Sequence, residues 1–319
     1  MVEVKSRGLY RRRYGFYATY LFIVCCGMGL SLYLITASSG LVFQICNAMF
    51  LSVMMIQAGM LVHDFSHSQV FESEKFNRFF AMILMGLFAG LSESAWFKQH
   101  NTHHKYVNQS GNDPDIDIPF IFSEKQRPDD YSFHPHLVAY QHILFFISLP
   151  LWYGSRVYMT WREVCRNFSY RQAAEIALAA IHFSVLLYLV FAYLSWPIAL
   201  AFLFVHVAAS GIYLSFIFAP NHKGEEVIGA YEVLHWKNQI TSTRNLRPSL
   251  VAFYVFGGLN YQIEHHLFTS MPRINYRKVR PLVQRFCSDN GIPYHETTWL
   301  ESMRQIYRAL REQARSRAS

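Results

Sequence analysis

Residues 16–67 read FYATYLFIVCCGMGLSLYLITASSGLVFQICNAMFLSVMMIQAGMLVHDFSH. The part from Phe16 to Val62 contains no Lys, Arg, Asp or Glu. It is about twice the ~20 apolar residues that a helix needs to cross a hydrocarbon core ~30 Å thick. Small and polar residues at Ala37–Gly40 interrupt it, as they do where a helix ends. The segment therefore predicts a hairpin of two membrane-spanning helices, at about residues 16–37 and 41–62.

A second apolar segment, Gln172–His222, repeats this pattern. It contains no Lys or Arg, and Glu175 is its only acidic residue. A break near Ser195–Pro197 predicts spans at about residues 173–194 and 197–219. The whole chain is 52% apolar and 16% charged. A large soluble helical core could also be this apolar, but buried helices rarely run so long with so little charge. We therefore predict an all-α integral membrane protein with four transmembrane helices in two hairpins.

The positions of the basic residues predict how the chain lies in the membrane. Lys5, Arg7 and Arg11–Arg13 precede the first span, whereas both turns within the hairpins lack Lys and Arg. Positive residues stay cytoplasmic, so we expect both termini and the middle segment on the cytoplasmic side. Residues 1–319 would form a single membrane domain, with a cytoplasmic helical cap at 63–171 and 220–319. The net charge of +8 favours anionic lipid headgroups rather than nucleic acid as its partner.

Three shorter apolar stretches complete the pattern: Phe79–Gly90, Leu137–Tyr153 and Leu250–Tyr261. The first and third are too short to span a bilayer. Only a count of four spans brings every histidine cluster to one side of the membrane, so we expect none of the three to cross. Near the C-terminus, Thr298 and Glu301 have the spacing of a capping box at the start of an amphipathic helix. That helix is either packed on the cap or anchored at the lipid surface.

Histidines cluster at the edges of the apolar segments. One group occurs in HDFSH, a second in HNTHH and a third in QIEHH, and one further histidine follows the fourth span; they are His63, His67, His100, His103, His104, His265, His266 and His222. Residues three and four apart share one face of a helix. Imidazole suits zinc, copper, iron and nickel, and eight potential ligands exceed the three or four that one zinc ion uses. The pattern predicts a site for two metal ions. Two iron ions that face a lipid chain would suggest activation of dioxygen.

These three motifs resemble the histidine boxes of the membrane fatty-acid desaturase family. Trp96, the run Asn112–Ile116, Gln239, Thr243–Asn245 and Leu267–Phe268 also match the family. The resemblance extends from about Met60 to Arg280. Gln262, where a third histidine would complete the last box, resembles the front-end branch, which adds double bonds between an existing one and the carboxyl end. Thr269 departs from the proline that is common at its position.

The resemblance implies an oxygen-dependent acyl desaturase with two non-haem iron ions and O2 as co-substrate. The eight histidines above would ligate the irons, and the division between the two sites is left open. The substrate would be a fatty acyl lipid or acyl-CoA. Many front-end relatives carry a fused cytochrome b5-type domain with an HPGG motif, whereas His134–Pro135 is followed here by His136. We therefore expect a separate electron donor, a ferredoxin or a cytochrome b5-type protein.

Residues beside the boxes have candidate roles of their own. Gln262 is a weak ligand, a partner that orients a ligand, or merely a surface amide. Carboxylates and an amide near the boxes could orient imidazoles by accepting their second N–H; they are Asp64, Asp113, Asp115, Glu264 and Asn221. For Asp113 and Asp115, a solvated turn around Pro114 is an equally plausible interpretation. The other histidines we interpret as structural; they are His134, His136, His142, His182, His206, His235 and His295.

Two other functions compete with the desaturase hypothesis. An acyl or sphingoid-chain hydroxylase on the same scaffold would insert a hydroxyl and leave no new double bond. A protein that binds haem or zinc through these histidines without catalysis would lack the two irons.

Overall fold

The computed structural model describes residues 2–116 and 135–316 of the chain. They fall into two compact units. The span unit consists of Arg12–Phe97 and Leu149–Ser215, and the histidine unit consists of the described residues of Met1–Arg11, Lys98–Ser148 and Phe216–Ser319. That the chain forms a single membrane domain with a cytoplasmic cap stays a prediction.

Helices make up most of both units. In chain order the described residues form α1 (Val2–Ser6), α2 (Tyr14–Ala37), α3 (Leu41–Ser66), α4 (Glu74–Ala89), α5 (Glu93–Lys105), α6 (Pro135–Ala139), α7 (Gln141–Ser148), α8 (Trp152–Arg166), α9 (Tyr170–Tyr193), α10 (Trp196–His222), α11 (Asn238–Thr241), α12 (Leu250–Val255), α13 (Gln262–Leu267), α14 (Tyr276–Asp289) and α15 (Trp299–Ser316). Short 3-10 turns occupy Leu149–Leu151, Leu259–Tyr261 and Arg273–Asn275. The strands β1 (Asn245–Leu246) and β2 (Glu296–Thr297) pair in parallel, with Asn245 opposite Glu296.

Among the described residues, four helices are long and apolar enough to cross a membrane: α2, α3, α9 and α10. They confirm the four predicted spans, with ends that differ by a few residues. Helices α2 and α3 are joined by buried polar side chains. Ser31 Oγ donates to Asn47 Oδ1 at 2.7 Å, and Asn47 Nδ2 donates back to the Ser31 carbonyl at 3.1 Å. Gln44 Nε2 donates to the Leu34 carbonyl at 2.9 Å, which satisfies one of the carbonyls left open at the end of α2.

Large apolar side chains on these spans point away from the protein. Phe22 on α2, Val42 on α3, Tyr188 on α9 and Phe204 on α10 are 68–75% exposed. A soluble protein rarely leaves so large an apolar surface in water, whereas lipid tails cover it at no cost. The exposed belt therefore supports the membrane interpretation.

Helix α4 packs against α3 and α9 and ends at Gly90, whose φ of 61° allows the chain to turn. The next helix, α5, leaves at 110° to α4. Glu175, the lone acidic residue of the second apolar segment, fixes the start of α5. Its carboxylate accepts from the Ser94 backbone N–H at 3.0 Å and from the hydroxyls of Ser94 and Ser92. An anion at a helix N-terminus is stabilised by the orphan N–H groups there.

The three shorter apolar stretches form no long unbroken helix in the structure. Phe79–Gly90 belongs to α4, Leu137–Tyr153 is divided among α6, α7, a 3-10 turn and α8, and Leu250–Tyr261 is divided between α12 and a turn. In the histidine unit, Thr298 Oγ1 accepts from the Glu301 N–H at 3.2 Å, as the capping-box pattern predicts. The apolar face of α15 is buried and lies against α7, where Gln141 Nε2 donates to the Leu310 carbonyl at 2.8 Å. Of the two interpretations of α15, the structure favours packing on the protein.

Candidate metal centre

The C-terminal half of α5 presents three histidines of the second box within the histidine unit. His100 and His104 are one turn apart, with ring centroids 4.6 Å apart, and His103 lies on the neighbouring side of the helix. His100 and His103 are buried, and His104 is half-buried. The imidazoles at i and i+4 therefore meet on one face, as the spacing in HNTHH predicts, and the i+3 ring faces the neighbouring side.

A first group forms where His265, on α13, meets two of these rings. His104 Nε2 lies 3.1 Å from His100 Nε2 and 3.1 Å from His265 Nε2. A neutral imidazole carries one N–H, so His104 Nε2 can be the donor to only one of its two neighbours. Nitrogens that share one metal ion lie about 3 Å apart when bonds of about 2.1 Å meet at right angles. The spacing of the three nitrogens thus fits a shared metal ion.

A second group consists of His103, His222 and His266, which come from α5, α10 and α13. Their potential ligand atoms lie within 4.8 Å of one another, and all three side chains are buried. The ring centroids are 4.6 Å apart for His103 and His222 and 4.9 Å apart for His222 and His266. This group offers only imidazole nitrogens, the ligand type that suits iron, copper, nickel and zinc.

Each ring of the second group is held through its Nδ1 atom. His103 Nδ1 lies 2.9 Å from Asp113 Oδ2, and His266 Nδ1 lies 2.7 Å from Gln239 Oε1. His222 Nδ1 faces the Ser242 carbonyl at 3.4 Å. Because all three partners present acceptor oxygens, the proton sits on Nδ1 and the lone pair on Nε2. The fixed tautomers leave the Nε2 atoms available as metal ligands.

In the first group, a hydroxyl takes the place of these acceptors. His265 Nδ1 lies 3.1 Å from the Tyr276 hydroxyl of α14. Tyr276 is fully buried, so the ring orientation of His265 is fixed by packing as well as by hydrogen bonding.

Gln262 lies within the second group. Its Nε2 is 2.8 Å from His222 Nε2, and its Oε1 accepts from Asn221 Nδ2 at 3.2 Å. Asn221 also donates to the Ile217 carbonyl one turn earlier in α10, at 3.0 Å. The amide of Gln262 therefore contacts Nε2 of His222, the atom that would bind a metal. Gln262 stands where a third histidine would complete the last box.

The four carboxylates singled out in the sequence have different surroundings. Asp113 contacts His103 as described, whereas Asp115 accepts from Gln99 at 2.6 Å and lies 3.9 Å from His103 Nδ1. With His103, both carboxylates form a third set of potential metal ligands. Glu264 accepts from Asn245 at 2.7 Å and from Tyr294 at 2.8 Å. Burial raises the pKa of Glu264 to about 7.

The first box lies at the C-terminal end of α3 in the span unit. The rings of His63 and His67 are 4.7 Å apart, edge to face, and both are buried. The His67 N–H donates to the His63 carbonyl, so the two residues are one helical turn apart. Asp64 Oδ1 lies 3.9 Å from His63 Nδ1, and the Trp96 ring lies 6.2 Å from that of His63.

The histidines interpreted as structural make other contacts. His182 Nδ1 bonds the Leu87 carbonyl of α4 and His206 Nδ1 bonds Ser52 of α3, which confirms that both mid-span rings bond a neighbouring helix. His295 Nδ1 pairs with Glu225 at 2.9 Å, and the ring of His142 packs on Tyr307. His134 lies outside the described residues.

Sequence reasoning assigned no role to several residues that hold the site together. Gln239 was noted only as a family match, yet it bonds His266 and also donates to the His104 carbonyl at 2.9 Å. Asn108, with a φ of 51°, donates from Nδ2 toward the carbonyls of His222 and Ser242, both at 3.1 Å. No spacing rule marks such residues, because their partners are remote in sequence.

Arg244 is another such residue, and it is fully buried. Its guanidinium donates to Glu225 at 2.7 Å, to Gln305 at 2.8 Å and to the carbonyls of Pro220 and Lys223. Burial lowers the pKa of Arg244, while Glu225 opposes that change. The side chain thereby ties the end of α10, which carries His222, to α15.

Comparison with known proteins agrees with this arrangement. The model of the fatty acid desaturase family matches residues 8–298 of the chain. The chain belongs to the fatty acid desaturase family. It is therefore a membrane protein, and its histidine groups are able to hold metal ions.

Individual desaturases show how close the relationship is. The chain is 30% identical over 273 residues to the Delta(5) fatty acid desaturase fat-4 of Caenorhabditis elegans, covering 79% of this chain and 60% of the relative. It is 31% identical to fatty acid desaturase 3 of Homo sapiens, covering 83% of this chain and 60% of the relative. It is 30% identical to the acyl-lipid (9-3)-desaturase of Physcomitrium patens, covering 86% and 54% respectively. The chain thus spans less than two thirds of the length of these relatives.

Proposed function

We propose that this protein is an oxygen-dependent fatty acyl desaturase whose histidine groups bind two non-haem iron ions. One observation carries the proposal: two separate sets of three imidazole nitrogens, each close enough to share one ion, lie in one unit of the fold. Iron held by these imidazoles would supply the dioxygen chemistry of a desaturation, in which a methylene pair loses two hydrogens and O2 is reduced to water with two further electrons from the donor protein.

The structure suggests how the ligands are divided. His100, His104 and His265 would hold one ion, and His103, His222 and His266 the other. The family pattern adds His63 and His67, which brings the number of histidine ligands to eight. Gln262 touches His222 Nε2 and would act as a weak ligand or as a hydrogen-bond partner of that ligand.

The residues around the ligands supply orientation and exclude water. Acceptors at Nδ1 keep each ring of the second group in the tautomer that a metal requires. Asp113, with an anionic carboxylate, would raise the basicity of His103 more than the neutral Gln239 raises that of His266. Because five of the six histidines in the two groups are buried and His104 is half-buried, a bound acyl chain would meet the metals in a site with little competing solvent.

The substrate and partners follow from the same proposal. Gln262 and the relatives named for Delta(5) and Delta(6) desaturation support front-end regioselectivity. The acyl group would be carried on a lipid or on CoA, and electrons would come from a separate ferredoxin or cytochrome b5-type protein. The basic residues before α2 support a cytoplasmic location for the termini and the active site.

Product analysis tests this function. The full chain is expressed in a host fed with defined polyunsaturated acids, and the lipids are examined by mass spectrometry. We expect a new double bond on the carboxyl side of an existing one, and none with His104→Ala. A hydroxylated product without a new double bond would identify the hydroxylase instead. Purified protein with a haem absorption band and no non-haem iron would identify a non-catalytic binding protein.

A further inference from the structure

A cavity of about 320 Å³ lies inside the span unit, among α2, α3, α4, α9 and α10. Its walls are formed mainly by apolar side chains such as Met28, Leu51 and Leu186. The volume falls within the range of about 300–1,000 Å³ that is usual for sites that bind small molecules. Two histidines, His182 of α9 and His206 of α10, also line it. Neither belongs to the three boxes, and the proposed reaction uses neither.

His182 presents an acceptor atom to its surroundings. Its Nδ1 lies 2.9 Å from the Leu87 carbonyl, which can only accept, so the ring proton is on Nδ1. The remaining ring nitrogen, Nε2, is buried and receives no hydrogen bond from the described residues. His182 is 9% exposed, so bulk solvent has little access to its ring.

His206 also has one ring nitrogen that carries the proton and, among the described residues, one that is a free acceptor. The hydroxyl of Ser52 lies near three acceptors: the Ala48 carbonyl at 2.8 Å, the His206 carbonyl at 2.9 Å and His206 Nδ1 at 3.1 Å. We assign its single proton to a carbonyl, since both carbonyls are closer than Nδ1. The hydroxyl oxygen then accepts from Nδ1, and the lone pair of the ring is on Nε2. His206 Nε2 is buried and, among the described residues, has no hydrogen-bond partner.

Two buried acceptors without donors are costly in an apolar cavity, because each loses the hydrogen bond that water would give it. A ligand that supplies an O–H group would remove this cost. The rest of that ligand has to be hydrocarbon, since the other walls are predominantly apolar.

The cavity extends to the lipid-facing surface. Cys25 of α2 and Ile181 of α9 line it and are themselves exposed. A lipid chain can therefore enter sideways from the bilayer. His182 lies twelve residues beyond Tyr170, about 18 Å along α9 at 1.5 Å per residue. That depth is near the middle of a hydrocarbon core of about 30 Å.

We propose that this cavity binds a lipid chain that carries a hydroxyl group well along its length, and that the hydroxyl donates to His182 or His206. Hydroxyls beside a lipid headgroup stay near the membrane surface, so the depth of the two histidines favours a hydroxylated acyl chain over lipids whose hydroxyl adjoins the headgroup. The site is one of binding, and it does not depend on the proposed desaturase activity.

Binding to the full chain in phosphatidylcholine nanodiscs tests the proposal. Three probes are compared: stearic acid, stearic acid hydroxylated at its twelfth carbon, and stearic acid hydroxylated at its second carbon. We expect the twelfth-carbon alcohol to bind about ten-fold more tightly than the other two, the gain of roughly one hydrogen bond. In His182→Leu combined with His206→Leu, this preference should disappear. His142→Leu, which changes a histidine outside the span unit, should retain it.

A third variant separates loss of the site from misfolding. Leu186→Trp narrows the cavity while keeping both histidines and should weaken all three probes. Thermal unfolding of each variant confirms that it folds. Equal binding of the three probes by the native chain would overturn the proposal and leave a water-filled or empty void. A preference that survives in the double histidine variant would overturn it as well.

Discussion

Replacing Gln239 by leucine is the sharpest test of how the second histidine group is held. Gln239 Oε1 is the acceptor 2.7 Å from His266 Nδ1, and its Nε2 donates to the His104 carbonyl at 2.9 Å. Leucine has a similar size but neither hydrogen-bonding group. His266 is 6% exposed, so its Nδ1–H would lose this acceptor in a site that water hardly reaches.

Two independent estimates give the size of the effect. A buried donor deprived of its acceptor costs about 1–3 kcal/mol. Loss of the group that orients a metal-bound histidine typically lowers metal affinity by about 10–100-fold, which equals roughly 1.4–2.7 kcal/mol. Gln239→Glu keeps an acceptor for His266 and removes the donor to His104. It should therefore hold the metal at least as well as the native side chain.

The measurement is a titration of the metal-free protein with ferrous iron against a competing chelator. We expect one of the two iron sites to weaken by about 10–100-fold in Gln239→Leu, while the other is unchanged. Gln239→Glu should restore it. Gln284→Leu, on α14, is the matched control and should bind iron like the native protein. Native affinity in Gln239→Leu, or equal loss in Gln239→Leu and Gln239→Glu, would refute the role assigned to this amide.

Three other predictions concern the ligands, the start of α5 and the buried acid. His104→Ala should remove iron from the first group and abolish desaturation while membrane insertion is retained; full turnover would contradict the metal assignment. Glu175→Ala should destabilise the protein by roughly 2–4 kcal/mol in thermal unfolding, since it deprives the Ser94 N–H and two hydroxyls of their acceptor, whereas the exposed Glu312→Ala should change little. In metal-free protein, the raised pKa of Glu264, about 7, makes its contribution to the free energy of unfolding fall by about 3 kcal/mol as the pH rises from 4.5 to 7. Glu264→Gln should lack this fall, and an unchanged pH profile would exclude Glu264 as its source.

The spans could be predicted because lipid imposes a simple rule on the sequence. A helix that crosses the hydrocarbon core cannot carry many charges, so Phe16–Val62 and Gln172–His222 were recognisable from composition alone. The observed helices extend past some of the predicted ends, where polar residues continue the helix. Helix α3 runs on to Ser66 and includes His63, because a helix does not end where its apolar character ends.

The ligand clusters could be predicted for a similar reason, since residues three and four apart share a helix face whatever the rest of the fold does. Their partners could not. Asn108 reaches the carbonyls of His222 and Ser242 across more than a hundred residues of sequence, and Gln239 reaches His266 across a strand, a short helix and a 3-10 turn. Such contacts depend on tertiary packing, which leaves no periodic signal in a single sequence.

The carboxyl groups of Asp113 and Glu264 bear on the charge balance of the proposed metal site. Imidazoles are neutral ligands, so two divalent ions in the histidine groups would bring a charge of about +4 into a buried region. Asp113 accepts from His103 and from two backbone N–H groups, those of Asn108 and Asp115. Glu264, between Asn245 and Tyr294, has its pKa raised by burial in the absence of metal. Positive charge nearby favours the ionised form of a carboxyl group, so metal binding would lower that pKa and release a proton from Glu264. The carboxylate of Glu264 would then carry more negative charge when the metal ions are bound than when they are absent.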